Sequence, residues 1–221
     1  METTFEVALA SVIGYLVGAV PIGLLVGRAT AGIDIRRYGT GNIGAANVRE
    51  NVGAFAAAVV ALGVFLQGLL PAWIVHLVGG SEAAVAGAAV GAVVGYGWPI
   101  FLRFKGGRAV GTATGAAAAI FPSGIVSLLL SYALGALLRQ TSLGILLGFL
   151  LYAVYVFYFT DSGPDRVASV MLLVIIAARR LEGVSRDLER GPFIQVVLNL
   201  LLFQRRPEQP RTTHEGERHD A

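Results

Sequence analysis

The chain has 221 residues, 55% of them apolar and 14% charged, with a formal net charge of +3. Its mean hydropathy of +0.70 lies far above that of a water-soluble domain, in which about a quarter of the residues are charged, so the composition points to an integral membrane protein. The lack of cysteine excludes a disulfide framework, a thiolate nucleophile and a cysteine metal site; no metal, cofactor or nucleic acid is expected as a ligand.

The first apolar run, Val7 to Val26, is preceded by Glu2 and Glu6 and by no basic residue. A secretory signal carries a positive n-region, so this run reads as a retained first helix. It leads into Asp34-Ile35-Arg36-Arg37 and then a polar island, Gly39-Thr40-Gly41-Asn42-Ile43-Gly44-Ala45-Ala46-Asn47-Val48-Arg49. Glycine, asparagine, threonine and arginine concentrated at the end of a hydrophobic span present backbone N–H groups and guanidinium charge to an anion beside the bilayer. The combination suggests phosphate chemistry at a membrane surface. Asp34 pairing with Arg36 or Arg37, and Asn47 capping a helix that begins at Val48, are the plain structural alternatives.

Further apolar segments follow at Ala54 to Val78, Ala83 to Gly97, Ala109 to Leu138, Leu143 to Phe159 and Val167 to Ala178, against about 20 residues per crossing. A second polar loop, Trp98 to Arg108, holds Arg103, Lys105, Arg108 and the pair Gly106-Gly107. Those glycines are expected to turn N–H groups toward an anion at the start of the next helix, with Lys105 and Arg108 adding charge; an ordinary cationic membrane loop is the alternative. As one helix, Ala109 to Leu138 would rise about 45 Å across a core of about 30 Å. Phe121-Pro122-Ser123-Gly124 interrupts it, which predicts a tight hairpin of two short helices. The closing run Phe193 to Phe203 is too short to span and is expected to lie in the interface, and the polar tail 204–221 is expected to be disordered.

The predicted fold class is therefore an all-α integral membrane protein: one transmembrane domain over residues 1–203 with about seven membrane helices, some short, plus a C-terminal interfacial helix. Gly14 with Gly18, Gly23 with Gly27, Gly87 with Gly91 and Gly95, Gly111 with Gly115, and Gly144 with Gly148 form small-xxx-small pairs that let helix backbones approach. With seven crossings and an external N-terminus, Arg28, Arg36, Arg37, Arg49, Arg103, Lys105, Arg108, Arg139, Arg179, Arg180, Arg186 and Arg190 fall on the cytoplasmic side, and Arg166 alone of the loop cations falls outside. A single crossing by Ala109 to Leu138 would move Arg139 and the Arg179 to Arg190 cluster outside, so the charge pattern favours seven.

The segments Gly18 to Arg28 and Gly32 to Val48, followed by Trp98-Pro99 and Phe104-Lys105-Gly106-Gly107-Arg108, closely resemble the first two signature regions of the bacterial acyl-phosphate dependent glycerol-3-phosphate acyltransferases. The resemblance implies a seven-helix enzyme of the bacterial plasma membrane, with its active site at the cytoplasmic face, that moves a fatty acyl group from acyl phosphate to the 1-position of glycerol 3-phosphate and releases lysophosphatidic acid and phosphate. It implies catalytic roles for Thr40, Asn42 and Lys105, and phosphate binding by Arg36, Arg37, Gly41, Gly44, Asn47, Arg49, Gly106, Gly107 and Arg108. The chain departs from the family at Thr40, Ala46, Tyr96, Arg108 and Ala109, where serine, threonine, histidine, lysine and glycine are usual, and lacks a leucine between Val48 and Arg49. Val64 and Gln67 stand where the family has aspartate and lysine. Of the third signature, a His-x-x-Asn turn leading into Arg-Leu-x-x-Gly-Thr-Glu, only Arg179-Arg180-Leu181-Glu182-Gly183 survives.

Acyl phosphate is an activated mixed anhydride. Attack on it by a glycerol hydroxyl needs two anions held close, their charge neutralised, and a donor for the developing oxyanion, more than it needs a covalent nucleophile. The cations and hydrogen-bonding residues of the two loops meet those needs. His76 falls at the opposite membrane face and Asp34, Glu50 and Glu182 are the carboxylates near the loops, so the expected proton acceptor is a substrate phosphate oxygen. Arg179 and Arg180 fit stop-transfer charges and phosphate ligands equally well. Two rival functions stand beside the enzyme: a catalytically inactive homologue that binds the same anions, which accounts for the missing third signature, and a small-anion transporter, which the scarcity of ionisable residues at membrane depth disfavours.

Overall fold

The computed structural model describes residues 2–182; the expected interfacial helix at 193–203, the tail, and Arg186 and Arg190 lie outside the described residues. Among the described residues nine α-helices follow in order: α1 (Glu2–Gly18), α2 (Ile22–Ala31), α3 (Ala45–Asn51), α4 (Ala54–Leu77), α5 (Glu82–Gly97), α6 (Val110–Ile120), α7 (Ile125–Leu137), α8 (Thr141–Phe159) and α9 (Gly163–Leu181). Among the described residues there is no strand. The first run together with α4, α5 and α8 is long and apolar enough to cross a membrane, while α6 and α7 are shorter apolar helices. Leu62, Leu130, Phe157 and Val174 are among the large apolar side chains exposed on the bundle's outside, as expected where lipid replaces water as the solvent.

The first run does not form one continuous helix as expected from Val7 to Val26. Pro21 has no N–H to give the Val17 carbonyl, so α1 ends at Gly18 and α2 restarts at Ile22. The Gln67 side chain of α4 crosses to this break, its Nε2 donating to the carbonyls of Val17 and Val20 at 2.8 Å each. Backbone freed at membrane depth is thus satisfied from a neighbouring helix. Val64, one turn earlier, faces the bare Cα of Gly111.

Glycines set the closest helix contacts. A Cβ at Gly14 or Gly18 would overlap the carbonyl oxygens of Ala88 and Ala92, and one at Gly91 or Gly95 those of Ser11 and Tyr15. The register rises together on both sides, so α1 and α5 run parallel, with backbones too near for any larger residue. Gly115 meets α4 at the Phe65 carbonyl in the same way, and Gly135 and Gly144 seat α7 against α8. The Gly23 and Gly27 pair behaves differently from the expectation of helix packing: Gly23 faces the polar island at the Ile43 carbonyl, and Gly27 faces Ile33 and Ile35 of the segment that leads into it.

The hairpin between α6 and α7 is present. A short 3-10 turn at Pro122–Gly124 separates the helices, and the Thr114 and Tyr132 hydroxyls, on opposite sides of the turn, lie 3.1 Å apart, which requires the chain to have folded back. Tyr152 of α8 donates to the Ala117 carbonyl at 2.8 Å and locks the hairpin to the bundle.

Candidate active site

Because α1 and α5 are parallel, the polar island that follows α2 and the loop that follows α5 emerge at the same end of the bundle. The C-terminus of α9 reaches that end too, since Arg179 touches Gly106 and Gly107. Arg28, Arg36, Arg37, Arg49, Arg103, Lys105, Arg108, Arg139, Arg179 and Arg180 thus gather at one end, and Arg166, in the first turn of α9, stands at the other.

Gly32, at φ +68°, closes α2, and Asp34 caps a 3-10 turn over Ile35–Arg37. The Asp34 carboxylate accepts from Arg36 Nε at 2.9 Å and Nη2 at 2.6 Å, and Arg28 approaches to 3.8 Å. The side-chain hydrogen bond from Arg36 is the main force holding the Asp34 carboxyl far below the usual carboxylate range, and the same bond raises the guanidinium. Arg36, expected to bind phosphate, therefore has its charge answered within the loop, a two-pronged pairing that braces the turn.

Asn47 is the centre of the island. It lies in the first turn of α3, 2% exposed, with Nδ2 within hydrogen-bond distance of the Ile35, Tyr38 and Asn42 carbonyls (3.2, 3.1 and 2.8 Å). Its Oδ1 accepts from the Thr40 backbone at 3.0 Å and from Asn51 Nδ2 at 3.1 Å. Asn47 thus organises the loop from inside instead of reaching a ligand. Its alternative role as a cap for a helix starting at Val48 is also corrected, since α3 begins at Ala45 with Gly44 as N-cap. Around this hub Thr40 sits exposed and Asn42 half-buried, with the Thr40 hydroxyl 3.4 Å from the Asn42 N–H. Gly39 and Gly41 adopt φ +53° and +69°, the left-handed region that favours glycine. Gly44 does not: its φ is −82°, and a Cβ there would meet Asn42 at an ordinary 3.4 Å.

In the second loop the chain turns through Arg103 and Phe104, both at positive φ, and returns against the end of α5. A Cβ on Gly106 would strike the Tyr96 and Gly97 carbonyls, and one on Gly107 the Tyr96 ring. The Gly107 N–H donates to the Tyr96 carbonyl at 3.3 Å, so this glycine permits close packing and does not offer its N–H to an anion as expected. Ala109, where the resembling family has glycine, is the N-cap of α6 at φ +60°, a conformation unfavourable for a residue with a Cβ.

Arg179 is the site residue whose role the sequence leaves undecided. Its Nε and Nη2 donate to the Gly107 and Gly106 carbonyls, each at 2.9 Å, its Nη1 pairs with Glu182, and its guanidinium lies 5.1 Å from the Trp98 ring centroid. Trp98 Nε1 also donates to Glu182, at 2.6 Å. Arg179 is neither a free stop-transfer charge nor a ligand in waiting; it clamps the second loop to α9. Two of the three carboxylates near the loops, Asp34 and Glu182, are thus held by arginine. Among the described residues, Arg37, Arg49 and Lys105 form no ion pair and are exposed. Exposed Arg108 ends the same loop. No group of three or more potential metal-ligating side chains occurs among the described residues.

This arrangement has counterparts. A sequence profile described as glycerol-3-phosphate acyltransferase matches residues 8–189. A glycerol-3-phosphate acyltransferase of Rubrobacter xylanophilus is 46% identical over 114 residues, 52% of this chain and 57% of that protein. One of Geobacillus kaustophilus is 36% identical over 184 residues, 83% of this chain and 93% of that protein. The crystal structure of PlsY, an integral membrane glycerol 3-phosphate acyltransferase, in its glycerol 3-phosphate form superposes with a TM-score of 0.71 at 27% identity, covering 89% of this chain and 99% of that one; its lysophosphatidic acid form gives the same score. With the two signature loops gathered at one end of an all-helical membrane bundle and the profile spanning most of its length, the chain belongs to the glycerol-3-phosphate acyltransferase family.

Proposed function

We propose that this protein transfers a fatty acyl group from acyl phosphate to glycerol 3-phosphate at the end of the bundle that carries the two loops. The observation that carries the reading is the division of labour among the cations. Arg36 and Arg179 are engaged in holding the loops, whereas Arg37, Arg49 and Lys105 stand exposed at the same end of the bundle as Thr40 and Asn42, without a carboxylate partner among the described residues. Cations without a described carboxylate partner, at the same end as directional hydrogen-bonding groups, suit two phosphate-bearing substrates.

In the proposed step the primary hydroxyl oxygen of glycerol 3-phosphate attacks the acyl carbonyl carbon. A new C–O bond forms, the bond from that carbon to the phosphate oxygen breaks, and the hydroxyl proton passes to a phosphate oxygen, giving lysophosphatidic acid and inorganic phosphate. Thr40 and Asn42 orient the reacting groups, and Lys105, Arg49, Arg37 and Arg108 offset the charge of the two anions. Withdrawal of Asp34 and Glu182 into ion pairs supports a substrate phosphate as the proton acceptor. The reading includes seven crossings of the plasma membrane, with the N-terminus outside and the loops in the cytoplasm, supported by the collection of nearly all loop cations at one end.

Purified protein in detergent, supplied with acyl phosphate and labelled glycerol 3-phosphate, is expected to form labelled lysophosphatidic acid. Lys105→Met, which keeps the apolar stem and removes the charge, is expected to lose roughly tenfold or more of kcat/KM, the scale of one charge-assisted hydrogen bond. A folded wild type that binds both substrates without turnover would instead support the inactive homologue.

A further inference from the structure

Helix α5 by itself is too short to reach the membrane boundary. Its 16 residues rise about 24 Å, less than a hydrocarbon core of about 30 Å. The stretch long and apolar enough to cross a membrane continues past the helix as far as Leu102. A 3-10 turn over Ile100–Leu102 adds about 6 Å at roughly 2 Å per residue. The turn thus lies where hydrocarbon gives way to headgroups, in the leaflet at the loop end.

It is pinned from inside and apolar outside. Leu102 points inward at 8% exposed, whereas Ile100, Phe101 and Phe104 are 50%, 59% and 58% exposed. The Leu102 and Phe104 N–H groups both donate to the Pro99 carbonyl, at 3.0 and 2.9 Å, and the Lys105 N–H donates to the Leu102 carbonyl at 3.2 Å. Arg179 holds the Gly106 and Gly107 carbonyls that follow. Three large apolar side chains therefore project from a fixed turn. In water they would forgo the gain of burial; at the membrane boundary lipid supplies it.

A cation stands among them. Arg103 is exposed and enters none of the ion pairs among the described residues, and residues 98–108 contain no aspartate or glutamate. Arg103 and Phe104 take φ +53° and +63° in succession, a backbone that glycine adopts without strain. A guanidinium and an aromatic ring kept at two strained positions point to a use for both side chains. The planar fork of an arginine matches the two non-bridging oxygens of a phosphodiester, and anionic leaflets attract arginine to their surface.

We propose that the turn at 99–104 is an interfacial wedge, in which Ile100, Phe101 and Phe104 seat among lipid acyl chains while Arg103 binds the phosphate of an anionic phospholipid. The occupant is a lipid and not a protein, because the turn completes a membrane-crossing stretch and carries the two chemistries that the boundary offers, hydrocarbon and phosphate. By seating there it fixes the depth of the loop that carries Lys105. Phe101 and Arg103 take no part in the proposed acyl transfer, so the wedge does not depend on that reaction.

The test uses the full chain, which has no cysteine, in nanodiscs of phosphatidylcholine alone or mixed with phosphatidylglycerol. A thiol-reactive dye on Phe101→Cys is expected to be quenched by lipid brominated near the top of its acyl chains and to be protected from aqueous iodide. In detergent, short-chain phosphatidylglycerol is expected to raise the unfolding midpoint at roughly fivefold lower concentration than short-chain phosphatidylcholine, the scale of one arginine at an anionic surface. Arg103→Gln is expected to abolish that preference. Arg103→Gly, which relaxes the left-handed backbone, is expected to fold and to lose the preference too, so the test survives a poorly folded glutamine variant.

Iodide quenching without lipid quenching would place the turn in water, and protection from both quenchers would place it against a protein surface, a second copy of the chain included. Either result overturns the proposal. A phosphatidylglycerol preference unchanged in both Arg103 variants would also overturn it, by assigning the headgroup contact to another part of the chain.

Discussion

The Gln67 side-chain amide donates to the Val20 carbonyl at 2.8 Å, joining the middle of α4 to the point where the first apolar run breaks. Its second bond, to Val17, reaches the carbonyl that Pro21 deprives of its helical donor. The glutamine thus stabilises the bend that directs α2 and the polar island.

Replacing Gln67 by leucine is therefore expected to destabilise the folded protein by about 1–3 kcal/mol, the cost of withdrawing a buried hydrogen-bond donor. Gln67→Lys, which restores N–H donors toward the same carbonyls, is expected to recover more of the loss than Gln67→Glu, which places an acceptor against acceptors. Unfolding midpoints in detergent decide it, and equal midpoints for the three variants would show that the break holds itself.

Asn47 gives the second prediction. Asn47→Asp keeps the size and the Thr40 contact but turns a donor that serves three carbonyls into an acceptor, so the island is expected to loosen by about 2–4 kcal/mol as several bonds of one network fail together. The expected signature is local: faster hydrogen exchange at Tyr38 to Asn42 and at least tenfold lower acyl transfer, with α4 and α5 still protected. Global unfolding at the same denaturant as wild type, with no local change, would contradict the hub.

What was legible in the sequence depended on whether the deciding partner was near in the chain. Pro122 and Gly124 announced the hairpin because a helix breaker acts locally, and the basic loops announced a shared end because charge asymmetry accumulates over the chain. The break at Pro21 was obscured by apolar residues on both sides, and the residue that answers it, Gln67, lies far away in sequence. Arg179 is legible as a cation but not as a clamp, since its acceptors are backbone carbonyls of Gly106 and Gly107 that no side-chain pattern reveals. Gly41 and Gly44 look alike on the page, yet only Gly41 has positive φ. Inward-facing Asn47 and outward-facing Thr40 are separated by burial alone.

That contrast among glycines is measurable. Gly41→Ala is expected to cost about 1–2 kcal/mol through its left-handed backbone and to lower substrate affinity, whereas Gly44→Ala is expected to stay within about 1 kcal/mol of wild type, the scale of an N-cap change. Gly14→Ala drives a methyl into the Ala88 carbonyl and is expected to lower stability most, by about 1–3 kcal/mol or more. A stable Gly14→Ala protein would mean that α1 and α5 shift apart without penalty.

Acid titration tests the brace at Asp34. Its folded-state carboxyl is held far below the usual range, chiefly by Arg36, so the pair contributes stability that is complete above the unfolded value of about 3.9 and declines as pH falls toward the folded value. The midpoint gap between wild type and Asp34→Asn is expected to be constant from pH 7 to about 5 and to narrow below about 4. Because Arg36 is solvent-accessible, added salt is expected to shrink the gap. A gap that widens on acidification would mean that Asp34 is protonated in the folded protein.

Topology is open to direct labelling because the chain has no cysteine. Asp161, exposed between α8 and α9, lies at the end of the bundle opposite the loops, and Glu50, exposed on α3, lies at the loop end. With the loops cytoplasmic, Asp161→Cys in intact cells is expected to react with an impermeant maleimide and Glu50→Cys only after permeabilisation. The orientation follows from the concentration of arginine and lysine at the loop end, which resists translocation across an energised membrane. Labelling of Glu50→Cys from outside would invert the bundle, put the exposed Arg37, Arg49 and Lys105 on the outer surface, and leave acyl phosphate and glycerol 3-phosphate on the wrong side of the bilayer for the proposed reaction.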